Sequence, residues 1–403
     1  MSEPIKFNVI IPVRERAGTL YHCLRTVVEQ DYDDLTIIVS DNYSQDNTRE
    51  VVESFIDPRI KYINTGRRVS MSHNWEFALN HVTDGWVTFL GDDDGILPGA
   101  LKRVASVISA TGASAVVSKW SFYFWPQSTT CENQLTVSFT SGYETRDCQE
   151  WLKKLMHGQA DYHDLPYVYT GGFVDVALIN RARNKNEEFF CSMIPDVYSA
   201  IALASTTEKY IWLHEPVCVM GVSVHSNGAS NFGLGANQVP AQKFFSENNI
   251  PFHPKLGSER VKSIQLIVYE SYLQSTYLHN DILKIDMAEQ LGLALARSSI
   301  DYRPELKKYC DDVAHKNGIN MERVEMFADR QNRKYLTRLF KSFSRCWNEL
   351  PLDSTTYSVR NVYSATILSH VLYQFYSRDK YWRLFNLKKL IGRVMSRLIR
   401  IVT

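Results

Sequence analysis

The sequence predicts an α/β protein in which a parallel, doubly wound sheet is followed by a mainly α-helical region. Four short apolar runs alternate with segments of helical spacing from Phe7 to Leu90, as in the β-α-β units of parallel sheets. From Glu259 onward the apolar residues keep helical spacing and strand signals are few. Because 403 residues suffice for two domains, we expect a sheet domain over 1–244, a helical domain over 245–378 and a separate terminal helix over 379–403.

The composition indicates a globular protein and argues against a nucleic-acid-binding one. Hydrophobic residues make up 44% of the chain and charged residues 22%, which is typical of a globular protein. The formal net charge of +1 argues against nucleic acid as the main partner. Seven scattered cysteines without a CxxC pair, no apolar run of membrane-spanning length and no signal peptide after Met1 predict a cytoplasmic location.

The first strand and helix are predicted close to the N-terminus. Phe7–Val13 is a short apolar run, as expected of a central parallel strand. A polar loop follows, and Thr19 is a candidate N-cap for the first helix. The apolar positions of that helix recur at helical spacing and are Leu20, Cys23, Leu24, Val27 and Val28.

Three further strands are predicted, at residues 35–39, 60–64 and 86–90, each preceded by a helical pattern. Strands joined by helical crossovers run parallel, so their carboxyl ends meet at one edge of the sheet. The loops 12–16, 41–47, 67–74 and 92–95 should therefore line this edge, where α/β proteins bind their ligands.

Three consecutive aspartates, Asp92, Asp93 and Asp94, follow the fourth strand directly. Adjacent carboxylates repel one another unless a cation offsets their charge, and a divalent cation carrying phosphate oxygens would do so here. The alternative is a solvated turn, since Asp and Gly are ordinary turn residues. No GxGxxG follows the first strand and no GxxxxGK[ST] occurs, so neither a dinucleotide fingerprint nor a P-loop is present.

Three segments resemble glycosyltransferase family 2. They are VIIPVRER at 9–16, IVSDNYSQDNT at 38–48 and FLGDDDGILPGAL at 89–101, which is similar to the family's DxD segment. The resemblance covers roughly the first 120 residues and departs from the pattern at 40–42, where Asp41 stands alone instead of a pair of aspartates. It implies a GT-A (Rossmann-like) nucleotide-diphospho-sugar transferase domain that transfers a sugar with inversion, with Mn²⁺ or Mg²⁺ as cofactor.

The resemblance also implies roles for individual residues. It assigns the nucleotide-sugar donor, a UDP-sugar in our hypothesis, to Pro12, Arg14, Asp41, Arg68, Asn74, Asp92 and Asp93. Arg67 is the alternative to Arg68, and Arg14 could instead form a surface ion pair. Asp94 is expected to contact the metal directly, with Asp92 nearer the ribose or the metal-bound waters and His225 as a further ligand. Asp93 could equally be a plain turn residue.

The acceptor hydroxyl needs a general base, because an alcohol is a poor nucleophile at neutral pH. Pro195 and Asp196 open a predicted helix, and Asp196 corresponds to the catalytic base of the family. The alternative for Asp196 is an acid at a helix start that interacts with the helix dipole. Asp175 is the reserve candidate, and Trp125 is a candidate platform for the acceptor sugar.

The last stretch predicts a basic amphipathic helix. Its apolar side is formed by Leu384, Leu387, Ile391, Val394, Met395, Leu398 and Val402. Its basic residues are Arg383, Lys388, Lys389, Arg393, Arg397 and Arg400, and no acid follows Asp379. This pattern favours a helix that lies on a membrane surface. The resemblance implies that this surface is the inner face of a bacterial membrane. A terminal helix docked on the core, or on a partner helix, is the alternative.

The leading hypothesis is a hexosyl- or N-acetylhexosaminyltransferase of surface polysaccharide biosynthesis, peripheral at the cytoplasmic face of the membrane, with a glycan or lipid-linked acceptor. One alternative is a non-catalytic glycan-binding or membrane scaffold protein of the same fold. The other is a sugar-phosphate nucleotidyltransferase, which normally has a Gly-rich loop after the first strand that is missing here. The sequence leaves the donor sugar, the acceptor, the linkage and the oligomeric state open.

Overall fold

The computed structural model describes residues 4–126, 128, 133–224, 246–247, 250–257, 262–279, 283–333 and 348–376. Within these residues the chain forms an 11-stranded mixed sheet with helices on both faces. The predicted α/β class and the helical region that follows the sheet are both confirmed.

The first four strands form the parallel part of the sheet. They are β1 (Phe7–Val13), β2 (Leu35–Asp41), β3 (Ile60–Asn64) and β4 (Trp86–Phe89). Their order is β4-β1-β2-β3, and every neighbouring pair is parallel. The prediction of a parallel, doubly wound unit is therefore confirmed for these strands, and their carboxyl ends share one edge.

The crossover helices lie where the helical spacing predicts them. They are α1 (Ala17–Val28), α2 (Thr48–Glu53) and α3 (Met71–Leu79). The predicted cap of α1 is wrong, because the helix begins before Thr19. Instead, Asp46 from the β2–α2 loop accepts the Ala17 N–H through Oδ2 at 2.9 Å. This bond joins the first two loops of the sheet edge.

The remaining strands are mostly antiparallel additions that the sequence did not predict as a group. They are β5 (Gly95–Ile96), β6 (Ala115–Phe124), β7 (Gln134–Ser138), β8 (Tyr143–Asp147), β9 (Gly172–Asp175), β10 (Lys209–Val222) and β11 (Glu349–Asp353). β9 joins β4 to β6 in antiparallel fashion, and β10 runs parallel to β6. β11 pairs with β7, so a strand from the predicted helical region belongs to the sheet.

The other helices divide between the sheet unit and the region after it. In the sheet unit they are α4 (Ala100–Thr111), α5 (Cys148–Met156), α6 (Val176–Arg181) and α7 (Pro195–Thr206). In the later region they are α8 (Ile264–Gln274), α9 (Met287–Arg297), α10 (Arg303–Lys316), α11 (Met321–Arg333) and α12 (Val362–Tyr376). In the parts of the chain that the structure describes, no helix combines the length and apolar character needed to cross a bilayer.

Two hydrophobic cores cover the two faces of the sheet. One contains Ile10 and Phe89 and extends through α7 into α8 and α9, so the later helices share a core with the sheet unit. The other contains Val9 and Ile11 and is closed by α1, α4 and α12. Alternate residues of β1 thus face opposite cores, as a central strand requires. The division into 1–244 and 245–378 stays a prediction, and the predicted helix 379–403 lies outside the described residues.

A buried arginine braces the strand β8 against its neighbours. The guanidinium of Arg146 lies between two indole rings, 3.7 Å from the Trp151 centroid and 3.9 Å from the Trp212 centroid. It donates to Glu144 at 2.6 Å and lies 3.6 Å from a carboxylate oxygen of Asp164. A planar cation that stacks on both faces and pairs with carboxylates at its edge is a geometry that lysine cannot reproduce.

We expect Arg146→Lys to lower the stability of the protein by about 1–2 kcal/mol, because the double cation–π stack is desolvated. The matched control is Arg25→Lys, since Arg25 stacks on Tyr363 at 3.9 Å but its side chain is 42% exposed. Thermal unfolding followed by circular dichroism measures both. Equal melting temperatures for Arg146→Lys and the unsubstituted protein would contradict this role.

Candidate active site

A cavity of about 500 Å³ lies at the carboxyl ends of the parallel strands. It is bounded by the loop after β1, the start of α3 and the loop of Asp92, Asp93 and Asp94, here called the aspartate loop. The end of β10, the 3-10 turn Tyr162–Asp164 and the start of α7 complete its boundary. The predicted site residues that line it are Pro12, Arg14, Asn74, Asp92, Asp93 and Asp196. The structure thus brings together residues that are more than 180 positions apart in the sequence, counting from Pro12 to Asp196.

Asp92 forms an ion pair with an arginine at the cavity wall. The side chain of Asp92 is 3% exposed, and its Oδ1 accepts from Arg16 Nη1 at 2.9 Å. Burial raises the pKa of Asp92 to about 7; Arg16 acts against this rise and Asp93 adds to it. Burial lowers the pKa of Arg16, but the charges of Asp92 and Asp93 outweigh it and raise that pKa. The site therefore holds one more carboxylate than this arginine can offset.

Asp93 is held by the end of β10. Its Oδ2 accepts from the Ser223 hydroxyl at 2.7 Å and from the Ser223 N–H at 3.3 Å. Its backbone oxygen accepts from Trp125 Nε1 at 3.0 Å. At Gly221 a Cβ atom would lie 1.8 Å from that oxygen, so only glycine permits this approach of β10. The carboxylate of Asp93 is thereby fixed at the cavity surface.

Asp94 points away from the cavity into the protein. Its Oδ1 accepts from the Gly221 N–H at 2.6 Å, and its Oδ2 accepts from the Gly91 N–H at 3.2 Å and from the Thr170 hydroxyl. Burial raises its pKa to about 7, with Asp93 as the next cause, while hydrogen bonds from Thr170, Gly221 and Tyr169 oppose the rise. Asp94 does not line the cavity, although the sequence suggested it as the direct metal ligand.

The residues that face the cavity fit a divalent cation in part. Carboxylate oxygens of Asp92 and Asp93 are hard ligands of the kind that Mg²⁺ and Mn²⁺ prefer. Across the described residues, no three His, Cys, Asp or Glu side chains come together as a metal site. Two carboxylates suit a cation that takes its other ligands from phosphate and water. The predicted ligand His225 lies outside the described residues.

Two of the predicted donor-binding side chains are arginines, and both form ion pairs with glutamates. Arg14 lines the cavity and forms an ion pair with Glu247, not with Glu15 or Asp41. Arg68 is paired with Glu15 outside the cavity lining. The nearby Arg67 is exposed.

Asp41 is 2% exposed and does not line the cavity. It accepts hydrogen bonds from Tyr62 at 2.6 Å, from Asn64 at 2.9 Å and from the Ser44 N–H at 2.9 Å. Its neighbour Asn42 lines the cavity instead and is anchored on both sides of its amide to the backbone of Val69.

Asn74 reaches the cavity from the first turns of α3. Its Oδ1 accepts from the Ser40 hydroxyl at 2.8 Å, which ties α3 to the end of β2. The helix begins at an N-cap, Ser70, whose hydroxyl accepts from the His73 N–H at 3.3 Å. Pro12 lies one strand away, in the register of Ser40. These residues together form the part of the cavity nearest β1 and β2.

Asp196 also lines the cavity and lies in the first turn of α7. Pro195 occupies the start of this helix, where its missing N–H costs nothing. The Oδ2 of Asp196 accepts from the Tyr162 hydroxyl at 3.0 Å. Burial raises the pKa of Asp196, whereas the charge of His163 and the Tyr162 hydrogen bond oppose this rise. A carboxylate with a raised pKa in a cavity is a suitable general base.

Two secondary predictions are wrong. Asp175 pairs in register with Trp86 at the start of β4, whereas the aspartate loop follows the end of that strand. Its carboxylate caps α6 by accepting from the Ala177 N–H at 2.8 Å. Trp125 is only 9% exposed and supports the aspartate loop from behind, so it does not offer an open platform to a sugar.

Several cavity residues were not predicted from the sequence. They are Arg16, Asn42, Tyr162, His163 and Tyr169. Arg16 was missed because the first loop contains two arginines, and the sequence does not show which one turns inward. For Tyr162 and His163 a signal exists, since Asp161 and Asp164 are spaced as a capping box that marks the start of a helical turn.

Comparison with known proteins finds a family match for the first part of the sheet unit. Residues 8–163 match the model of the family described as Glycosyl transferase family 2. This range contains the parallel strands, the aspartate loop and part of the cavity turn.

Individual relatives are similar over a short part of the chain. A GalNAc(5)-diNAcBac-PP-undecaprenol beta-1,3-glucosyltransferase of Campylobacter jejuni is 39% identical over 102 residues, which are 25% of this chain and 33% of that protein. A validoxylamine A glucosyltransferase of Streptomyces hygroscopicus is 36% identical over 114 residues, 27% of this chain and 26% of that protein. The chain thus matches a third or less of the length of these two relatives.

Among solved structures, a TarS fragment of Staphylococcus aureus in complex with UDP-GlcNAc aligns over 92% of both chains, with 14% identity and a TM-score of 0.48. The family match agrees with the resemblance of the three N-terminal segments, and it falls on the strands that build the cavity. Residues 8–163 of this chain are a glycosyltransferase family 2 domain.

Proposed function

We propose that this protein is an inverting, metal-dependent glycosyltransferase that moves a sugar from a nucleotide sugar, in the first instance a UDP-sugar, to a hydroxyl of a glycan or lipid-linked acceptor. The observation that carries this proposal is the shared cavity, which Asp92, Asp93 and Asp196 all line. The family match supports the reaction class. The pathway is the biosynthesis of a surface polysaccharide.

The donor's diphosphate binds at the wall formed by the first strand's loop and the aspartate loop. Arg16 and Arg14 supply positive charge there, and guanidinium groups bind phosphate oxygens with two parallel hydrogen bonds. Pro12, Asn42 and Asn74 border the same region and contact the nucleoside. Asp41 and Arg68 act behind this wall, where they hold the loops that shape it.

Asp92 and Asp93 are the residues that hold the divalent cation. When bound, Mn²⁺ or Mg²⁺ offsets the charge that develops on the departing diphosphate. Asp93 replaces Asp94 in our assignment of the direct ligand, because Asp93 lines the cavity, whereas Asp94 does not and uses both of its carboxylate oxygens in hydrogen bonds inside the protein. Asp94 orients the loop that presents its two neighbours.

Asp196 is the general base of the transfer. The acceptor oxygen forms a bond to the anomeric carbon while the bond from that carbon to the diphosphate oxygen breaks. The hydroxyl proton passes to the Asp196 carboxylate, and the nucleoside diphosphate leaves with the bonding electron pair. A carboxylate whose pKa is raised by burial is a stronger base than a solvated one.

The acceptor is a lipid-linked glycan, and the protein works at the cytoplasmic face of the membrane. The name of the Campylobacter jejuni relative, which includes an undecaprenol-linked acceptor, supports this choice. The segment 379–403 is rich in basic residues, and no acidic residue follows Asp379. This composition also favours contact with an anionic membrane surface. The described helix α12 ends at Tyr376, just before this segment, and exposes Ile367, Val371 and Phe375 at helical spacing.

We expect Asp93→Asn and Asp94→Asn to separate binding of metal from support of the loop. Isothermal titration of UDP with and without Mn²⁺ should show that Mn²⁺ tightens binding to the unsubstituted protein and to Asp94→Asn. In Asp93→Asn this gain should fall by tenfold or more, about 1.4 kcal/mol. Asp94→Asn should instead lower the melting temperature, because two buried N–H groups compete for one remaining oxygen.

The opposite pattern would overturn this assignment. If Asp94→Asn loses the Mn²⁺ gain while Asp93→Asn retains it, Asp94 is the ligand. If Mn²⁺ leaves the affinity of the unsubstituted protein for UDP unchanged, the proposed metal dependence fails.

We expect Asp196→Asn to lower the rate of UDP release by about 100-fold or more, because the amide cannot accept the hydroxyl proton. The assay is a screen of UDP-hexoses and UDP-N-acetylhexosamines with an undecaprenyl-diphosphate-linked sugar. UDP affinity should not change. Asp175→Asn is the matched control, since Asp175 only caps α6. Turnover by Asp196→Asn equal to that of the unsubstituted protein would exclude Asp196 as the base.

We expect the full chain to bind vesicles that contain phosphatidylglycerol and to bind phosphatidylcholine vesicles more weakly. Each basic residue near an anionic surface contributes about 1 kcal/mol at most, and salt screens this attraction. A chain that ends at Tyr376 should lose most of the binding and keep its affinity for UDP. Cosedimentation measures both chains. Equal binding of the two chains would exclude the C-terminal segment as the membrane contact.

A further inference from the structure

A short 3-10 turn beside Asp196 brings three side chains to the cavity that the proposed reaction does not yet use. They are Asp161, Tyr162 and His163. The Tyr162 hydroxyl donates to Asp196 Oδ2 at 3.0 Å. His163 Nδ1 lies 2.8 Å from Asp161 Oδ1. The turn therefore contacts the proposed base directly and carries a second acid next to an imidazole.

The turn is fixed by its own hydrogen bonds. Asp161 and Asp164 form a capping box, in which each side chain accepts a backbone N–H at the other end of the turn. From behind, the Tyr210 hydroxyl donates to the Asp164 carbonyl, and the stacked Arg146 lies beside Asp164. This network connects the cavity turn to the braced strand β8.

The two cavity rings of the turn are also packed against each other. The ring centroids of Tyr162 and His163 are 3.8 Å apart, and the edge of Trp120 meets His163 at 5.0 Å. Side chains stacked in this way have little rotational freedom, so the hydroxyl and the imidazole keep one direction relative to Asp196.

Given the proposed role of Asp196 as the base, we propose that Tyr162 and His163 are its positioning residues. The Tyr162 hydroxyl fixes the direction of the carboxylate by donating to Oδ2. The imidazole of His163, which contacts Asp161, favours the ionised carboxylate of Asp196 through its charge when it is protonated. Tyr162 and His163 act through Asp196 and take no proton from the acceptor themselves.

The electrostatic effects on Asp196 point in opposite directions. Burial raises its pKa and makes it a stronger base. The charge of His163, then the Tyr162 hydrogen bond and the N–H of Val197, limit this rise. Burial thus makes the carboxylate more basic, while these contacts favour its ionised form.

The other titratable groups around this wall do not reproduce these effects. Tyr167 and Tyr169 are deeply buried, and burial raises the pKa of each well above its usual range, so both stay neutral. Asp161 carries a negative charge, which its contact with His163 offsets. A change in the pKa of Asp196 on substitution is therefore attributable to Tyr162 or His163.

The sign of the expected effect follows from the hydrogen bond. A donated hydrogen bond stabilises the ionised carboxylate, so loss of the Tyr162 hydroxyl raises the pKa of Asp196 further. The base is active only when ionised, and activity is lost as the pH falls through its pKa. In Tyr162→Phe the acidic limb of the profile of kcat/KM against pH should therefore move to higher pH, by about 0.5 unit or more.

Two measurements test this proposal. The first is the pH profile of UDP release from UDP-glucose with an undecaprenyl-diphosphate-linked sugar. The second follows the Asp196 carboxyl carbon by NMR in protein labelled with ¹³C at aspartate Cγ, its signal identified by its loss in Asp196→Asn. Tyr162→Phe and His163→Gln should both raise the midpoint. Tyr272→Phe is the matched control, because its hydroxyl donates to the Leu283 carbonyl in the helical region.

The two readouts separate this inference from the proposed function. If the NMR midpoint of Asp196 is the same in Tyr162→Phe, His163→Gln and the unsubstituted protein, the positioning role is overturned, whatever the activity. If the midpoint rises but no donor is turned over by the unsubstituted protein, the contact stands and the proposed transferase function fails. Retained UDP affinity and an unchanged melting temperature show that each variant is folded.

Discussion

The buried carboxylate of Asp94 is the contact on which the arrangement of the cavity depends. It joins the aspartate loop to the end of β10 through Gly221 and to the loop before β9 through Thr170. A carboxylate in this position can be stable only if its oxygens accept hydrogen bonds, and the surrounding N–H and hydroxyl groups provide them. Asp94 is thus used inside the protein, whereas its two neighbours Asp92 and Asp93 line the cavity.

Buried contacts also support the part of the cavity that contains Asp196. Arg146 is stacked between two tryptophans and lies beside Asp164, which caps the turn that carries Tyr162 toward Asp196. Contacts that stabilise the antiparallel part of the sheet thus also set the direction of the proposed base. Stabilisation of the leaving diphosphate and acceptance of the proton are proposed for different residues of the cavity, Asp92 and Asp93 for the first and Asp196 for the second. This separation agrees with a reaction in which one group stabilises the leaving diphosphate and another accepts the proton.

The parallel part of the fold was predictable from the sequence because its strands are apolar runs separated by helical spacing, and because the carboxyl ends of parallel strands meet at one edge. The antiparallel strands were not, since β9 and β11 are short and their partners are distant in sequence. Within the site, Asp92 was found from its position after a strand end, and Asp196 from the resemblance to the family together with its position at a helix start. The roles of Asp93 and Asp94 could not be separated, because adjacent residues in a turn point in directions that local sequence does not determine.

The central claim is that Asp92 and Asp93 face the bound nucleotide and its metal, while Asp94 remains part of the protein interior. The most direct measurement is a crystal structure of the protein with UDP and Mn²⁺. We predict a manganese ion in contact with Asp93 and with diphosphate oxygens, UDP in the cavity beside Arg16, and the hydrogen bonds of Asp94 to Gly221 and Thr170 intact. Manganese bound to Asp94 with those hydrogen bonds broken, or UDP bound outside this cavity, would contradict the account.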